Sequence, residues 1–326
     1  MAEQLRIGIA GAGHFGRFHA LKVATARRAH LVGLFDPDAG RAAAVGREAG
    51  GAPAMGLDGL LGAVDALIVA APAEAHHAIA RQALQAGRHV LIEKPIASTL
   101  DQADELAALA RQAGLVLQVG HLLRYSAEHK AISSRITRPL YIEAARIAPF
   151  KPRGTDVSVI LDLMIHDLDL VISLVNSDIA SVDAVGAAVS SAHEDIANAR
   201  VRFVNGCVAT ITASRISLKT ERRMRLFSEE GYLSANFVDR KLVMIGRERG
   251  LPLPGTGGFR REELGWTDHD SMAAEHEAFY ASCLDGAPVL VDAVAGRRAL
   301  EAALAVGDSM RNSRHLAQMS GLLRGS

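Results

Sequence analysis

Arg6-Ile7-Gly8-Ile9-Ala10-Gly11-Ala12-Gly13-His14-Phe15-Gly16 decides how the rest of the chain is read. Residues 5–10 form a short apolar run that reads as a strand. Gly11, Gly13 and Gly16 follow in GxGxxG spacing, and residues 14–25 have a helical composition. The first glycine permits a tight turn. The second lets the backbone approach a pyrophosphate, and the third lets helix and strand pack closely. A helix N-terminus at this turn offers free N–H groups and positive potential to phosphates. The spacing alone is weak evidence, but its context is specific. Asp36 stands 20 residues beyond Gly16, at the end of the next apolar run, where a carboxylate grips ribose hydroxyls. Gly11, Gly13, His14, Phe15, Gly16 and Asp36 therefore read as a dinucleotide site. A second acid, Asp38, follows Pro37 and would repel a 2′-phosphate, so NAD is expected over NADP. Arg41, one helical turn on, is the residue that could relax that preference.

Outward from this unit the grammar repeats. Apolar runs at 5–10, 30–35, 66–71, 89–92 and 115–119 alternate with helical stretches at 14–25, 39–48, 75–86 and 100–113. Such alternation predicts βαβ units in a doubly wound parallel sheet with both faces covered. After about residue 123 the pattern changes. A strand at 140–148 and one long apolar helix at 155–175 precede runs at 179–189, 197–204, 207–214, 222–228, 232–237 and 241–245. Asn205-Gly206 is a hairpin signal between two of these runs. Residues 250–258 read as a loop, and helices at 271–284 and 292–311 close the chain. The fold class is α/β: a parallel Rossmann-type domain at 1–122, then an α+β domain at 123–326 with a mostly antiparallel sheet. The final helices are candidates to pack back on the first domain.

Composition narrows the class. The chain has 326 residues, 49% hydrophobic and 22% charged, with 36 basic and 36 acidic side chains. That balance gives no footprint for nucleic acid. Cys207 and Cys283 are not in a CxxC, so neither a disulfide framework nor a metal cluster is expected. No leader or membrane segment is apparent, which points to the cytoplasm. Six lysines against thirty arginines make each lysine informative.

Ligands bind at the C-terminal ends of strands in such sheets. Pro72 and His76 follow the run at 66–71, and Glu93, Lys94 and Pro95 follow that at 89–92. On position alone, Lys94 is equally well a required ammonium or a solvated lysine beside a loop proline. Asp162 and His166 are four apart on the long helix and so share a face. On residue type alone they read best as a mutually satisfied core pair. Asp167 and Asp169 lie on other faces and read as structural.

Gly11-x-Gly13-x-x-Gly16, Pro72-x-x-x-His76, residues 86–95 with Glu93-Lys94-Pro95, and Val119-Gly120-His121-x-x-Arg124 together resemble the glucose–fructose oxidoreductase / inositol dehydrogenase / rhizopine catabolism (Gfo/Idh/MocA) family. The likeness is close over the first ~125 residues. It implies that Lys94 reaches the reacting hydroxyl and the nicotinamide ribose; the Lys94–Pro95 peptide is cis in many relatives, and its state here is left open by the sequence. It also places Asp162 and His166 beside substrate, reversing the core-pair reading. His166, with an unperturbed pKa of ~6.5, becomes the base. Asp162 orients it or binds a hydroxyl, and Lys94 stabilises alkoxide charge. His121, Arg124, Lys151 and Arg153 join the substrate-binding candidates. For Arg124 a brace, and for Lys151 and Arg153 a solvated basic loop, are the alternatives. His76 either stacks near the nicotinamide or packs beneath its loop. No metal is implied.

The resemblance implies an NAD-dependent oxidoreductase acting on a secondary hydroxyl of a sugar. Residues 155–169 are similar to members that oxidise the 3-hydroxyl of UDP-N-acetylglucosamine. A free sugar or inositol substrate is one alternative, and a non-catalytic regulator of the same fold is another, though regulators tend to lose the lysine or histidine. A homodimer or homotetramer through the second sheet is expected if that sheet's far face is apolar; the positions Val201/Phe203 and Val208/Thr210 fit this. No nucleic-acid or membrane partner is expected.

Overall fold

The computed structural model describes residues 4–150, 157–267 and 269–322. They form two compact units, residues 1–125 with 270–300, and residues 126–269 with 301–326.

The first unit is built on five parallel strands: β1 (Leu5–Ala10), β2 (Ala29–Phe35), β3 (Ala66–Val69), β4 (His89–Glu93) and β5 (Leu117–Gly120). Their order is β2-β1-β3-β4-β5. Ile7, Ile9, Leu67, Ile68 and Ile92 are wholly buried, as expected for strands covered on both faces. The crossovers carry α1 (His14–Ala24), α2 (Ala39–Glu48), α3 (Leu57–Ala63), α4 (Ala73–Gln85) and α5 (Leu100–Ala113). The short helix α3, rich in glycine and without a full apolar stripe, was not expected. α5 is capped by the Thr99 hydroxyl, which accepts from the Gln102 amide, and closes on Gly114 in left-handed geometry.

The second unit holds α6 (Ala127–Ser133), β6 (Tyr141–Ile147), α7 (Ile165–Val175), β7 (Ile179–Ala187), β8 (Ile196–Phe203), β9 (Val208–Ser214), β10 (Glu221–Ser228), β11 (Gly231–Asn236), β12 (Lys241–Gly246), β13 (Leu251–Pro252) and β14 (Arg260–Gly265). The nine strands form one sheet, β13-β14-β12-β11-β10-β6-β9-β8-β7, antiparallel except for β6 with β9. β13 and β14 occupy the stretch expected to be loop and its flank. In β14 half-buried and exposed residues alternate with none fully buried, so the apolar alternation that marks a strand is missing.

Two more helices complete the chain. α8 (Ser271–Asp285) belongs to the first unit, where Phe279 and Tyr280 join the core of Ile7, Ile9 and Ile68. α9 (Ala293–Met319) contributes its first residues to the first unit and the rest to the second. There the Ser309 hydroxyl accepts from the Ala184 amide at 2.8 Å.

Two expectations need correction. The long helix is not uniformly α: Ile160–Met164 form a π-helical turn before α7. Its predicted start at 155 lies outside the described residues. The register also separates the positions chosen for an apolar outer face. Val201 pairs with Ala209 and faces the unit's own core with Phe203, whereas Val208 and Thr210 oppose Arg202 and Arg200 on the other face. Across β8 that other face carries Asn198, Arg200 and Arg202 beyond Ile196. The aromatic side chains lie further along, at Tyr141, Phe227 and Tyr232, with ring centroids 5.7 and 5.0 Å apart. Among the described residues no helix is long and apolar enough to cross a membrane.

Candidate active site

The glycine turn is shaped as its sequence requires. Gly11 has φ of 101°, and a Cβ there would stand 2.5 Å from the Ala70 carbonyl oxygen. A Cβ on Gly16 would overlap the Gly11 carbonyl oxygen at 1.8 Å. Gly13 differs: nothing lies within 4 Å of its missing Cβ, so the chain keeps open the approach to the N-terminus of α1. His14 and Phe15 are exposed beside it, and Phe18 packs edge-on to His14 at 4.7 Å. This open cradle fits a pyrophosphate.

Asp36 is buried at the end of β2. One carboxylate oxygen accepts from the Ala12 amide at 2.7 Å. The other accepts from the Asp38 amide at 2.9 Å and from Arg41 at 2.7 Å. Burial opposes its charge, but the Arg41 hydrogen bond and the two amides hold the carboxyl below the usual range. Arg41 is thus committed to Asp36, which supports NAD over NADP.

Pro72 caps the start of α4, and His76 is buried on it. The His76 ring nitrogens lie 2.7 Å from the Pro95 carbonyl oxygen and 2.8 Å from that of Ala71. This geometry ties the loop after β3 to the turn after β4, as a packed brace would. The Lys94–Pro95 peptide is cis, and Lys94 is half-buried at the end of β4. Glu93 sits behind it, with Oε2 accepting from the Lys94 amide at 3.3 Å and Oε1 2.9 Å from His19 Nε2. His121 is buried past β5, and Arg124 lies in the 3-10 turn Leu122–Tyr125 that packs on α8.

In the second unit, Asp162 lies in the π-helical turn and His166 at the second position of α7; both are half-buried while most of α7 is buried. π turns of this kind concentrate at functional sites. The neighbouring Asp167 is buried and grips Arg146 of β6 through two hydrogen bonds of 2.7 and 2.8 Å. Burial works against the Arg146 charge, and Asp167 overcomes it. Asp167 is therefore structural, as its helix face suggested. Arg215 donates to the Val157 carbonyl at 2.8 Å, fixing the entry to the helix. Lys151 and Arg153 lie outside the described residues.

Sequence reasoning missed four polar residues of the first unit: His19, Glu275, His276 and Tyr280. All are buried. The one signal available was spacing: His19 follows Gly16 by three, on the buried face of α1.

Comparisons with known proteins agree with this fold. A family model described as "Oxidoreductase family, NAD-binding Rossmann fold" matches residues 5–121, and the "GFO/IDH/MocA C-terminal domain" matches residues 131–234. The chain is 42% identical over 306 residues to a UDP-N-acetylglucosamine 3-dehydrogenase from Acidithiobacillus ferrooxidans, covering 93% of this chain and 96% of that protein. A solved structure of that enzyme superposes with a TM-score of 0.88, covering 94% of this chain and 97% of that one. A 1,5-anhydro-D-fructose reductase from Ensifer adhaerens is 32% identical, over 70% of this chain and 74% of its own length. The glycine turn, the matched domains and this near full-length likeness show that the chain is a member of the Gfo/Idh/MocA family of NAD-binding oxidoreductases.

Proposed function

We propose that this oxidoreductase oxidises the 3-hydroxyl of UDP-N-acetylglucosamine. The likeness to an enzyme of that activity, at 42% identity over 96% of its length, carries the substrate. Lys94 and His166 carry the chemistry. NAD⁺, when bound, supplies the hydride acceptor. His166 takes the hydroxyl proton as the hydride leaves the same carbon, and a ketone results. The Lys94 ammonium stabilises the alkoxide charge that develops in between. Asp162 orients His166 or holds a neighbouring hydroxyl. His121 and Arg124 are assigned to the sugar. Lys151 and Arg153, which precede the helix in sequence, are the cations assigned to the diphosphate. Gly11, Gly13, His14, Phe15, Gly16, Asp36, Pro72, His76 and Glu93 serve the dinucleotide.

The test is NADH formation by the purified protein with UDP-N-acetylglucosamine, N-acetylglucosamine and inositols in parallel. Turnover confined to the nucleotide sugar supports the assignment. Turnover with an inositol and none with the nucleotide sugar rejects it. NAD binding without turnover on any of them would make the protein a regulator of the same fold.

We also propose a cytoplasmic homodimer or homotetramer through the outer face of the second sheet. The need for NAD supports the location. The half-exposed row Tyr141, Phe227, Tyr232 and Ile245, aligned across four strands, supports the interface. Light scattering of Phe227→Glu against the parent chain checks it; an unchanged mass places the interface elsewhere.

A further inference from the structure

Three buried residues of the first unit, which the proposed chemistry does not use, form a continuous string that ends on Glu93. Tyr280 Oη lies 3.2 Å from His276 Nδ1, His276 Nε2 lies 2.7 Å from His19 Nδ1, and His19 Nε2 lies 2.9 Å from Glu93 Oε1. The two imidazoles lie end to end, with centroids 5.0 Å apart and planes at 10°, as an in-plane N–H···N bond requires. Tyr280 and His276 are four apart on one face of α8, and His19 is on α1, so 257 residues of chain separate the two histidines. Tyr280 is 0% exposed, and His19 and His276 are 1% and 2% exposed.

Donor accounting fixes the direction of the string. The Tyr280 O–H is cut off from water and needs an acceptor, and His276 Nδ1 at 3.2 Å is placed to serve as one. That nitrogen therefore offers a lone pair, and the single proton of His276 sits on Nε2. Burial keeps His276 well below the ordinary histidine range, hence neutral. Its Nε2–H then donates to His19 Nδ1, which leaves the His19 proton on Nε2, donating to Glu93. Every donor points toward Glu93. Burial opposes the charge on Glu93, and the His19 hydrogen bond, with Lys94 and His76 nearby, still holds it below the usual carboxylate range. The adjacent acid, Glu275, is pushed well above that range by burial and by Glu93, so Glu93 carries the charge of the two.

We propose that Tyr280, His276 and His19 are positioning residues: a one-way hydrogen-bond relay that fixes the Glu93 carboxylate, and through its grip on the Lys94 amide fixes where Lys94 stands. The space around Glu93 suits this role, because a Cβ on Gly120 would approach its carboxylate at 3.2 Å. This inference rests on the assignment of Lys94 as the alkoxide-stabilising group.

Two measurements test it. The first needs no activity: ¹⁵N–¹H correlation spectra of the histidine rings in the full chain with NAD bound. His19 and His276 should both be neutral Nε2–H tautomers. A doubly protonated ring, or an Nδ1–H tautomer at either position, overturns the relay. The second compares His276→Gln, which keeps an acceptor and a donor in series, with His276→Leu, which keeps volume alone. For folded variants the leucine change should lower kcat about tenfold, by analogy with groups that orient a catalytic side chain, with the glutamine variant recovering most of the loss. Equal kcat in the leucine variant and the parent chain overturns the proposal. Lys94→Ala, run beside them, separates the two claims: parental turnover there rejects the role of Lys94, whereas the tautomers report on the relay itself.

Discussion

Lys94 and His166 are assigned to one reaction, yet they are supported in opposite ways. Behind Lys94 stands a string of neutral donors ending on a carboxylate. Behind His166 stands a buried salt bridge, Arg146–Asp167, with side chains 8% and 3% exposed. A neutral string has little Coulomb energy at stake, so its loss should show in catalysis more than in stability. A buried ion pair repays the desolvation of two charges only while both partners are present. The first unit spends its buried polar groups on direction, the second on rigidity.

The largest test breaks the charged side. Arg146→Leu leaves the Asp167 carboxylate buried without its partner and should cost ~3–5 kcal/mol of stability. The double change Arg146→Leu with Asp167→Leu should recover most of it, read by denaturant unfolding. A single change costing no more than the double would mean the pair is not holding α7.

Next come the reacting groups. Lys94→Ala and His166→Ala should each lower kcat at least ~100-fold, equivalent to ~2.7 kcal/mol of barrier. Neither should shift the unfolding midpoint as Arg146→Leu does. Near-parental turnover in either removes that residue from the chemistry.

A third test concerns Asp195, which is wholly buried in the second unit. It accepts from the Val189, Ser190 and Ser191 amides at 2.8, 2.6 and 3.0 Å and pairs with Arg215 at 2.9 Å. Burial opposes its charge, but these donors hold its pKa far below the usual range. Such a group contributes fully above the unfolded pKa of ~4 and loses its contribution as pH falls through the lower folded value. Asp195→Asn should therefore cost ~2 kcal/mol at neutral pH. Its deficit should shrink as pH drops below ~4, and a deficit constant into acid would refute the linkage.

The smallest effect sharpens the cofactor side. Asp36→Ser releases Arg41 and removes the acid that repels a 2′-phosphate. The KM for NADP should fall about tenfold, as one gained charge-assisted hydrogen bond allows. An unchanged KM would show that Arg41 does not reach the phosphate.

The glycine turn, Asp36 and the strand-end position of Lys94 were legible because each depends on backbone geometry within a few residues. GxGxxG is a local steric demand, met by Gly11 at φ 101° and by Gly16 against the Gly11 carbonyl. The parallel sheet was equally legible, since strands buried on both faces leave continuous apolar runs. β14 was missed for the converse reason: its exposed and half-buried side chains, Arg260 to Glu263 among them, carry no apolar period. The π turn at Ile160–Met164 was hidden because an apolar run has the same composition in either helix.

By itself the sequence determined the dinucleotide turn, the change from parallel to antiparallel grammar, and the residue types able to do hydride-transfer chemistry. Tertiary structure alone decided which buried polar groups meet. His19 and His276 stand 257 residues apart, and Arg146 and Asp167 lie on different elements. A hydrogen bond acts over about 3 Å of space whatever the separation along the chain, so no local pattern could have announced either pairing.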